Sequence, residues 1–248
     1  MVGIGPGGED QMTGRARDAI LGADCIVGNG LYLDQIASLL PGKEVIRSSM
    51  GKEVERARQA VELACSRAVA VVSGGDPGVY GMASLALEVL EHSGLDIPVE
   101  VVPGVTAATA VASRLGAPLS GDFVVASLSD LLTPWEEIER RLDLAFRMGI
   151  PVVLYNPRSR GRKDHLAMAL SLAIRHLPPA TPVGFVKNAY REGERVTITT
   201  LAEAGKRAGE VDMHATVIIG GRGTRIWRRG EDAKGIITPR GYERKYLY

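Results

Sequence analysis

Short apolar runs alternate along the chain with stretches in which apolar positions recur every three or four residues. Val54, Ala57, Val61 and Ala64 share one helical face, which predicts a helix over 52–67. Residues 68–73 then run apolar up to Ser73 without a break, as in a strand covered on both faces. The same reading predicts strands at 1–4, 25–27 and 99–102, with helices at 11–22, 31–40, 81–93 and 106–115. This alternation predicts a mostly parallel sheet with helices on its faces.

The pattern resets at Gly116-Ala117-Pro118. Beyond it, strands are predicted at 122–127, 151–156, 182–187, 195–200 and 215–220, and helices at 134–148, 162–177 and 201–208. Residues 183–200 read as a hairpin around Arg191-Glu192-Gly193-Glu194, so this part is expected to hold a mixed sheet. The expected organisation is two α/β domains, 1–117 and 118–248.

Composition narrows the picture. The chain has 248 residues, 45% of them hydrophobic, which is enough for a sizeable core. Aromatics reach only 5% against 30 glycines, suggesting tight turns and close backbone approach to ligands. A net charge of +1 gives no global field toward nucleic acid or a membrane, and neither is expected as a partner. No apolar run approaches the ~20 residues of a membrane span, and the start lacks a signal-peptide pattern, so a cytoplasmic protein is expected. Residues 1–4 are short for a first strand, and the true strand is expected to begin upstream. Cys25 and Cys65 lie in apolar segments and are expected to be buried and reduced. His92, His165, His176 and His214 show no metal-ligand spacing, so no metal is expected.

Five segments at strand ends carry candidate chemistry. Gly3, Gly5 and Gly8 satisfy a dinucleotide fingerprint on paper. However, Pro6 removes a donor from the phosphate cradle, and the second strand ends in Gly28-Asn29 where the ribose acid belongs. Ser73 to Gly81, with Gly74, Gly75, Asp76 and Val79, is in a binding position by topology and equally reads as a Gly-Asp-Pro turn. Thr106 and Ala107 open a helix, where Thr106 is either a cap or a ligand contact. Ser127 to Asp130 ends a strand in hydroxyls and a carboxylate, suited to proton transfer or to capping the next helix. Tyr155 and Asn156 end another strand. The cations Arg158, Arg160, Arg162 and Lys163 follow, as a solvated charge run or as a rim for an anionic ligand.

In their order along the chain these motifs resemble the tetrapyrrole (corrin/porphyrin) methylase family. The matching elements are Gly3-Ile4-Gly5-Pro6-Gly7, Gly74-Gly75-Asp76-Pro77, Pro103 to Ala107, Tyr155-Asn156, Asn188-Ala189 and Ala215 to Ile218. The branch acting at C17 of precorrin-3B or cobalt-factor III is resembled through Ser127 to Glu136, Leu154 to Ser159, Glu192-Gly193-Glu194, Thr197 to Leu201, Val211-Asp212-Met213 and Ile237 to Tyr242.

The resemblance implies two α/β domains with S-adenosylmethionine in the cleft between them, and a homodimer. It implies cofactor contacts from Pro6, Gly74, Gly75, Asp76, Val79, Thr106, Ala107, Tyr155, Asn156, Asn188, Ala189, Ala215 and Thr216. It further implies C17 attack on the methyl group and ring contraction, which needs a proton removed from a C20 hydroxyl; Asp130 and Ser127 are the candidates. The basic run becomes a candidate rim for the substrate carboxylates. Pro77 stands where many relatives have Ala, and Asn29 where the sirohaem branch has Asp. A diphthamide methyltransferase of the same fold is disfavoured by Ser127 to Asp130 and by Ile237 to Tyr242. A non-catalytic nucleotide- or corrinoid-binding module stays open, as does a metal-free or cobalt-bearing substrate.

Overall fold

In the computed structural model, which describes residues 1–247, the apolar runs of the first part become four parallel strands. They are β1 (Val2–Gly3), β2 (Cys25–Asn29), β3 (Glu44–Ser48) and β4 (Val69–Ser73), in the order β1-β4-β2-β3. Helices α1 (Gly14–Gly22), α2 (Gly30–Gln35), α3 (Glu53–Ala64) and α4 (Ala83–Ser93) connect and cover them. Alternate residues of one strand serve opposite faces. Ile26, Ala70 and Val72 pack with Ile20 of α1 and Leu33 of α2, while Cys25, Val27 and Val71 pack with Ala57 of α3 and Ala86 of α4. The Thr13 hydroxyl accepts from the Ala16 amide to cap α1, and the Asn29 Oδ1 accepts from the Leu31 amide at 2.9 Å to cap α2. Asn29 is buried, so its role here is that of a cap.

Several expectations are corrected. Residues 99–102 form no strand; only Val102 pairs, with Val2, because two-residue β1 offers no longer partner. The stretch 31–40 is broken at Ile36 into α2 and a single tighter turn at Ala37–Leu39. Cys65 is exposed at the end of α3, whereas Cys25 is buried and its thiol pKa is pushed up, chiefly by that burial. Strand β3 went unpredicted because it is a sheet edge in which Glu44 and Arg47 are exposed and break the apolar signal.

The second part holds α5 (Ala107–Leu115), β5 (Gly116–Ala117), β6 (Val124–Ser127), α6 (Trp135–Met148), β7 (Val152–Tyr155), α7 (His165–Ile174), β8 (Pro182–Lys187), β9 (Arg195–Thr200), α8 (Leu201–Arg207) and β10 (Ala215–Ile219). The sheet order is β6-β7-β10-β8-β9, with β6 parallel to β7 and every other pair antiparallel, hence mixed as expected. One face (Leu154, Phe185, Val217, Ile219) packs on Leu142 and Phe146 of α6, Leu166 of α7 and Leu201 of α8. The other face (Val153, Val186, Ile218) packs on Ala108, Val111 and Leu115 of α5. A Cβ on Gly184 would stand 2.3 Å from Leu115 Cδ1, so a glycine lets this helix sit close.

That packing draws α5 into the second unit. The chain divides into Met1–Ala107 and Ala108–Tyr248, ahead of the helix and not after it. An unpredicted hairpin, β11 (Arg225–Arg229) and β12 (Asp232–Ile237), turns at Gly230 (φ 62°), and β12 pairs in parallel with β5. Its first strand is largely exposed and rich in arginine, which hid it from an apolar pattern. Among the described residues no helix is long and apolar enough to cross a membrane.

Candidate functional site

Parallel strands deliver the glycine-rich segments of the first unit to one sheet edge. Gly5 and Gly75, which follow β1 and β4, exchange backbone hydrogen bonds of 3.1 and 2.8 Å. Both have positive φ (76° and 66°), which glycine adopts without strain. A Cβ on Gly104 would stand 2.2 Å from the Gly75 carbonyl oxygen, and one on Gly3 would stand 2.7 Å from the Gly104 nitrogen. Three segments therefore touch backbone to backbone. The Gly5 amide is thus spent on Gly75 and is not open to a phosphate.

Asp76 fastens this edge. Its Oδ1 accepts from the Gly78 amide at 2.8 Å and its Oδ2 from the Gly104 amide at 3.0 Å. Both carboxylate oxygens thus set the shape of the loop. Pro6 is buried, while Gly74, Val79, Thr106 and Ala107 are half-buried around the same edge.

In the second unit β6, β7 and β8 run one way and β10 the other, so three C-terminal ends and one start meet at a single edge. Ser127 pairs with Tyr155, Ala215 with Lys187, and Thr216 with Val186. Asn156 and Asn188 directly follow β7 and β8, each with φ 51°. Among the described residues, the positive-φ residues other than glycine are these two, Tyr80 and Tyr190, all in loops after strand ends. Such backbone costs about 1–3 kcal/mol per residue and clusters where ligands bind.

Side chains tie this edge together. The Tyr155 hydroxyl accepts from the Ala108 amide at 2.8 Å, steadying the start of α5. The Ser127 hydroxyl accepts from Asn156 Nδ2 at 3.0 Å and from the Ser129 amide at 3.1 Å. With both lone pairs engaged, Ser127 retains its own proton for donation, which suits it to hydrogen-bond a ligand oxygen and not to act as a base. Lys187 Nζ lies 2.5 Å from Asp212 Oδ2, and the His214 amide donates to Oδ1 at 2.9 Å. Burial pushes the Asp212 carboxyl up, but these two donors outweigh it and hold the pKa below the ordinary value. The hairpin that carries Ala189 is pinned to α5, since Glu194 pairs with Arg114 at 2.6 Å and accepts from the Tyr190 amide at 2.7 Å.

The basic run separates. Arg158 donates to the carbonyls of Ala208 (3.4 Å) and Gly209 (3.0 Å), clamping the end of α8. Arg162 reaches Ser159 Oγ at 3.2 Å and lies 3.9 Å from Asp130, while its Nη1 is buried with no hydrogen-bond partner. Arg160 and Lys163 are exposed. Asp130 also faces a residue that the sequence did not single out: His165 Nε2 stands 3.5 Å from Asp130 Oδ2. Trp135 stacks on that imidazole with ring centroids 4.5 Å apart. Sequence reading tested His165 only for metal spacing, and nothing in the spacing of Asp130 and His165 announces their contact. Among the described residues no group of three or more His, Cys, Asp or Glu is arranged to hold a metal ion.

The chain is similar to known proteins along most of its length. Residues 1–205 match the family described as Tetrapyrrole (Corrin/Porphyrin) Methylases. The chain is 44% identical, over 98% of its length and 98% of the relative, to a probable cobalt-factor III C(17)-methyltransferase of Salmonella typhimurium. It is 45% identical over 99% of its length to the cobalamin biosynthesis protein CbiHC of Archaeoglobus fulgidus, of which it spans 53%, about half. The solved structure of the methyltransferase CobJ superposes with a TM-score of 0.86 at 34% identity, covering 96% of this chain and 98% of that one. A uroporphyrin-III C-methyl transferase from Thermus thermophilus, solved with S-adenyl homocysteine, gives 0.69 at 28% identity over 88% of this chain and 90% of that one.

Proposed function

Because the chain belongs to the tetrapyrrole (corrin/porphyrin) methylases, we propose that it methylates C17 of a precorrin-3B or cobalt-factor III type tetrapyrrole, with ring contraction, in cobalamin biosynthesis. The observation that carries this reading is the match, end to end on both chains, to a relative named for that position.

S-adenosylmethionine is the proposed donor, supported by the relative solved with its demethylated product. When bound, it supplies a methyl group on a sulfonium, whose transfer to carbon leaves a neutral thioether. The residues proposed to hold it are Pro6, Gly74, Gly75, Asp76, Val79, Thr106 and Ala107 in the first unit, and Tyr155, Asn156, Asn188, Ala189, Ala215 and Thr216 in the second. The donor set is of the right chemistry: close-packed glycines that let backbone come near a ligand, with hydroxyls and amides at strand ends, suit a molecule that is part nucleoside and part amino acid. Fixed dipoles of this kind hold donor and acceptor in line without reorganising.

Of the two candidates for removing the substrate proton, Asp130 is the acceptor and Ser127 the hydrogen-bond donor, since Ser127 already accepts twice. Arg158, Arg160, Arg162 and Lys163 are the cations proposed for substrate carboxylates, with Nη1 of Arg158 also holding the end of α8. The reading extends to a homodimer in the cytoplasm, checked by light scattering and cell fractionation.

The test is incubation with S-adenosylmethionine and either the metal-free or the cobalt-bearing trimethylated intermediate. One form is expected to gain a methyl group by mass and to change its visible spectrum as the macrocycle contracts. If neither form is methylated while S-adenosylmethionine binds, the C17 assignment is wrong.

A further inference from the structure

Asp130 and His165 meet at the C-terminal edge of β6, and their geometry fixes where one proton sits. His165 Nδ1 lies 3.0 Å from the Leu128 carbonyl oxygen. A carbonyl only accepts, so Nδ1 carries hydrogen and Nε2 is the nitrogen left to exchange a proton. Nε2 stands 3.5 Å from Asp130 Oδ2, while the other oxygen of the same carboxylate is 3.9 Å from Arg162 Nε. The imidazole is sheltered, with 14% of its side chain exposed, whereas Asp130 retains 40%. The carboxylate is thus the solvent-facing member and the histidine the one behind it.

We propose that His165 is a positioning residue for the reaction: it acts through Asp130, receiving at Nε2 the proton that Asp130 removes from the substrate. The inference rests on the C17 reading above. In the step, the O–H bond of the substrate hydroxyl breaks and its electron pair stays on the substrate oxygen. The proton bonds first to an Asp130 oxygen and then to Nε2, giving an imidazolium whose Nδ1–H remains on Leu128. Arg162 keeps the second oxygen in place, and Trp135 covers one face of the ring, which fixes its plane. The charged groups around His165 are Asp130 from the loop after β6 and Arg162 from the loop before α7; α6 contributes the neutral Trp135.

Two measurements test the relay. In the first, His165→Asn, which keeps a donor for Leu128, and His165→Gln, which fills the Nε2 position without titrating, are compared with the unaltered chain. Turnover to contracted product is expected to fall by about 10²-fold or more, with its pH profile flattened. The dissociation constant for S-adenosylmethionine and the melting temperature are expected to stay unchanged. Wild-type turnover with an unaltered pH profile in His165→Asn overturns the proposal. A parallel loss of turnover, donor affinity and melting temperature in both variants also overturns it, by showing a structural role. In the second, nitrogen NMR of the His165 ring in the protein without substrate is expected to show the Nδ1–H tautomer and an Nε2 signal that moves in Asp130→Asn. An Nε2 signal indifferent to that substitution overturns the coupling. Because this second measurement needs no substrate, a coupled pair in a chain that methylates neither macrocycle sinks the C17 reading and shows that the pair itself is real.

Discussion

The carboxylate of Asp76 reaches across to the backbone amide of Gly104 at 3.0 Å while its other oxygen holds the amide of Gly78. One side chain therefore locks the loop after β4 to the segment that leads into α5. Asp76→Asn keeps one acceptor but turns an amino group toward an N–H, leaving a donor unpaired at a cost of about 1–2 kcal/mol. Calorimetry is expected to show weaker binding of S-adenosylmethionine by roughly tenfold, with a smaller effect on turnover of the bound complex. Unchanged affinity would mean that this loop does not hold the donor.

Two glycine substitutions separate close packing from helix propensity. Gly104→Ala would place a methyl 2.2 Å from the Gly75 oxygen, against backbone that cannot swing aside. It is expected to destabilise the first unit by about 1–3 kcal/mol or more. Gly205→Ala, inside α8 with nothing within 4 Å of the new Cβ, is expected to stabilise by about 0.5–1 kcal/mol. Denaturant midpoints check both; opposite signs are the result required.

The Tyr155 hydroxyl accepts from the buried Ala108 amide at 2.8 Å. Tyr155→Phe strands that donor at the first turn of α5 and is expected to cost about 1–2 kcal/mol. Hydrogen exchange should find the start of α5 opening more readily while α6 and α7 keep their protection. Equal loss of protection across the second unit would argue for general damage instead.

How much of this was legible in the sequence follows from burial. Residues 69–73 show plainly because both faces of β4 are covered and every other residue reports to a core. Strand β3 and the β11–β12 hairpin escape because edges and surfaces carry charge where an apolar period would otherwise show. The site divides in the same way. Asn156 is placed by counting to the end of an apolar run, a local signal, whereas Asn188 is singled out only through the family resemblance. The contacts of Arg158 and His165 are tertiary: Nη1 of the first reaches carbonyls fifty residues away, and the second faces a carboxylate from another loop. Asp76 illustrates both cases, since topology marks its loop while only coordinates reveal that its two oxygens are already engaged.

Glu194 supplies a pH dependence whose sign can be worked out. Burial pushes its carboxyl up, yet the Tyr190 amide and the Arg114 guanidinium outweigh burial and leave the pKa below the ordinary value. Arg114 is correspondingly raised, chiefly through its hydrogen bond to Glu194. A carboxyl depressed on folding contributes stability above its unfolded pKa and loses it as pH falls through the folded one. Glu194→Gln keeps an acceptor for the Tyr190 amide but removes the charge, so it is expected to cost about 1 kcal/mol near pH ~7. The gap between variant and wild type should narrow as pH falls through the depressed folded pKa and close at an acid pH below it, where both side chains are neutral. Urea unfolding followed at both pH values measures the gap, and a difference that persists undiminished in acid would assign the effect to packing and not to the ion pair.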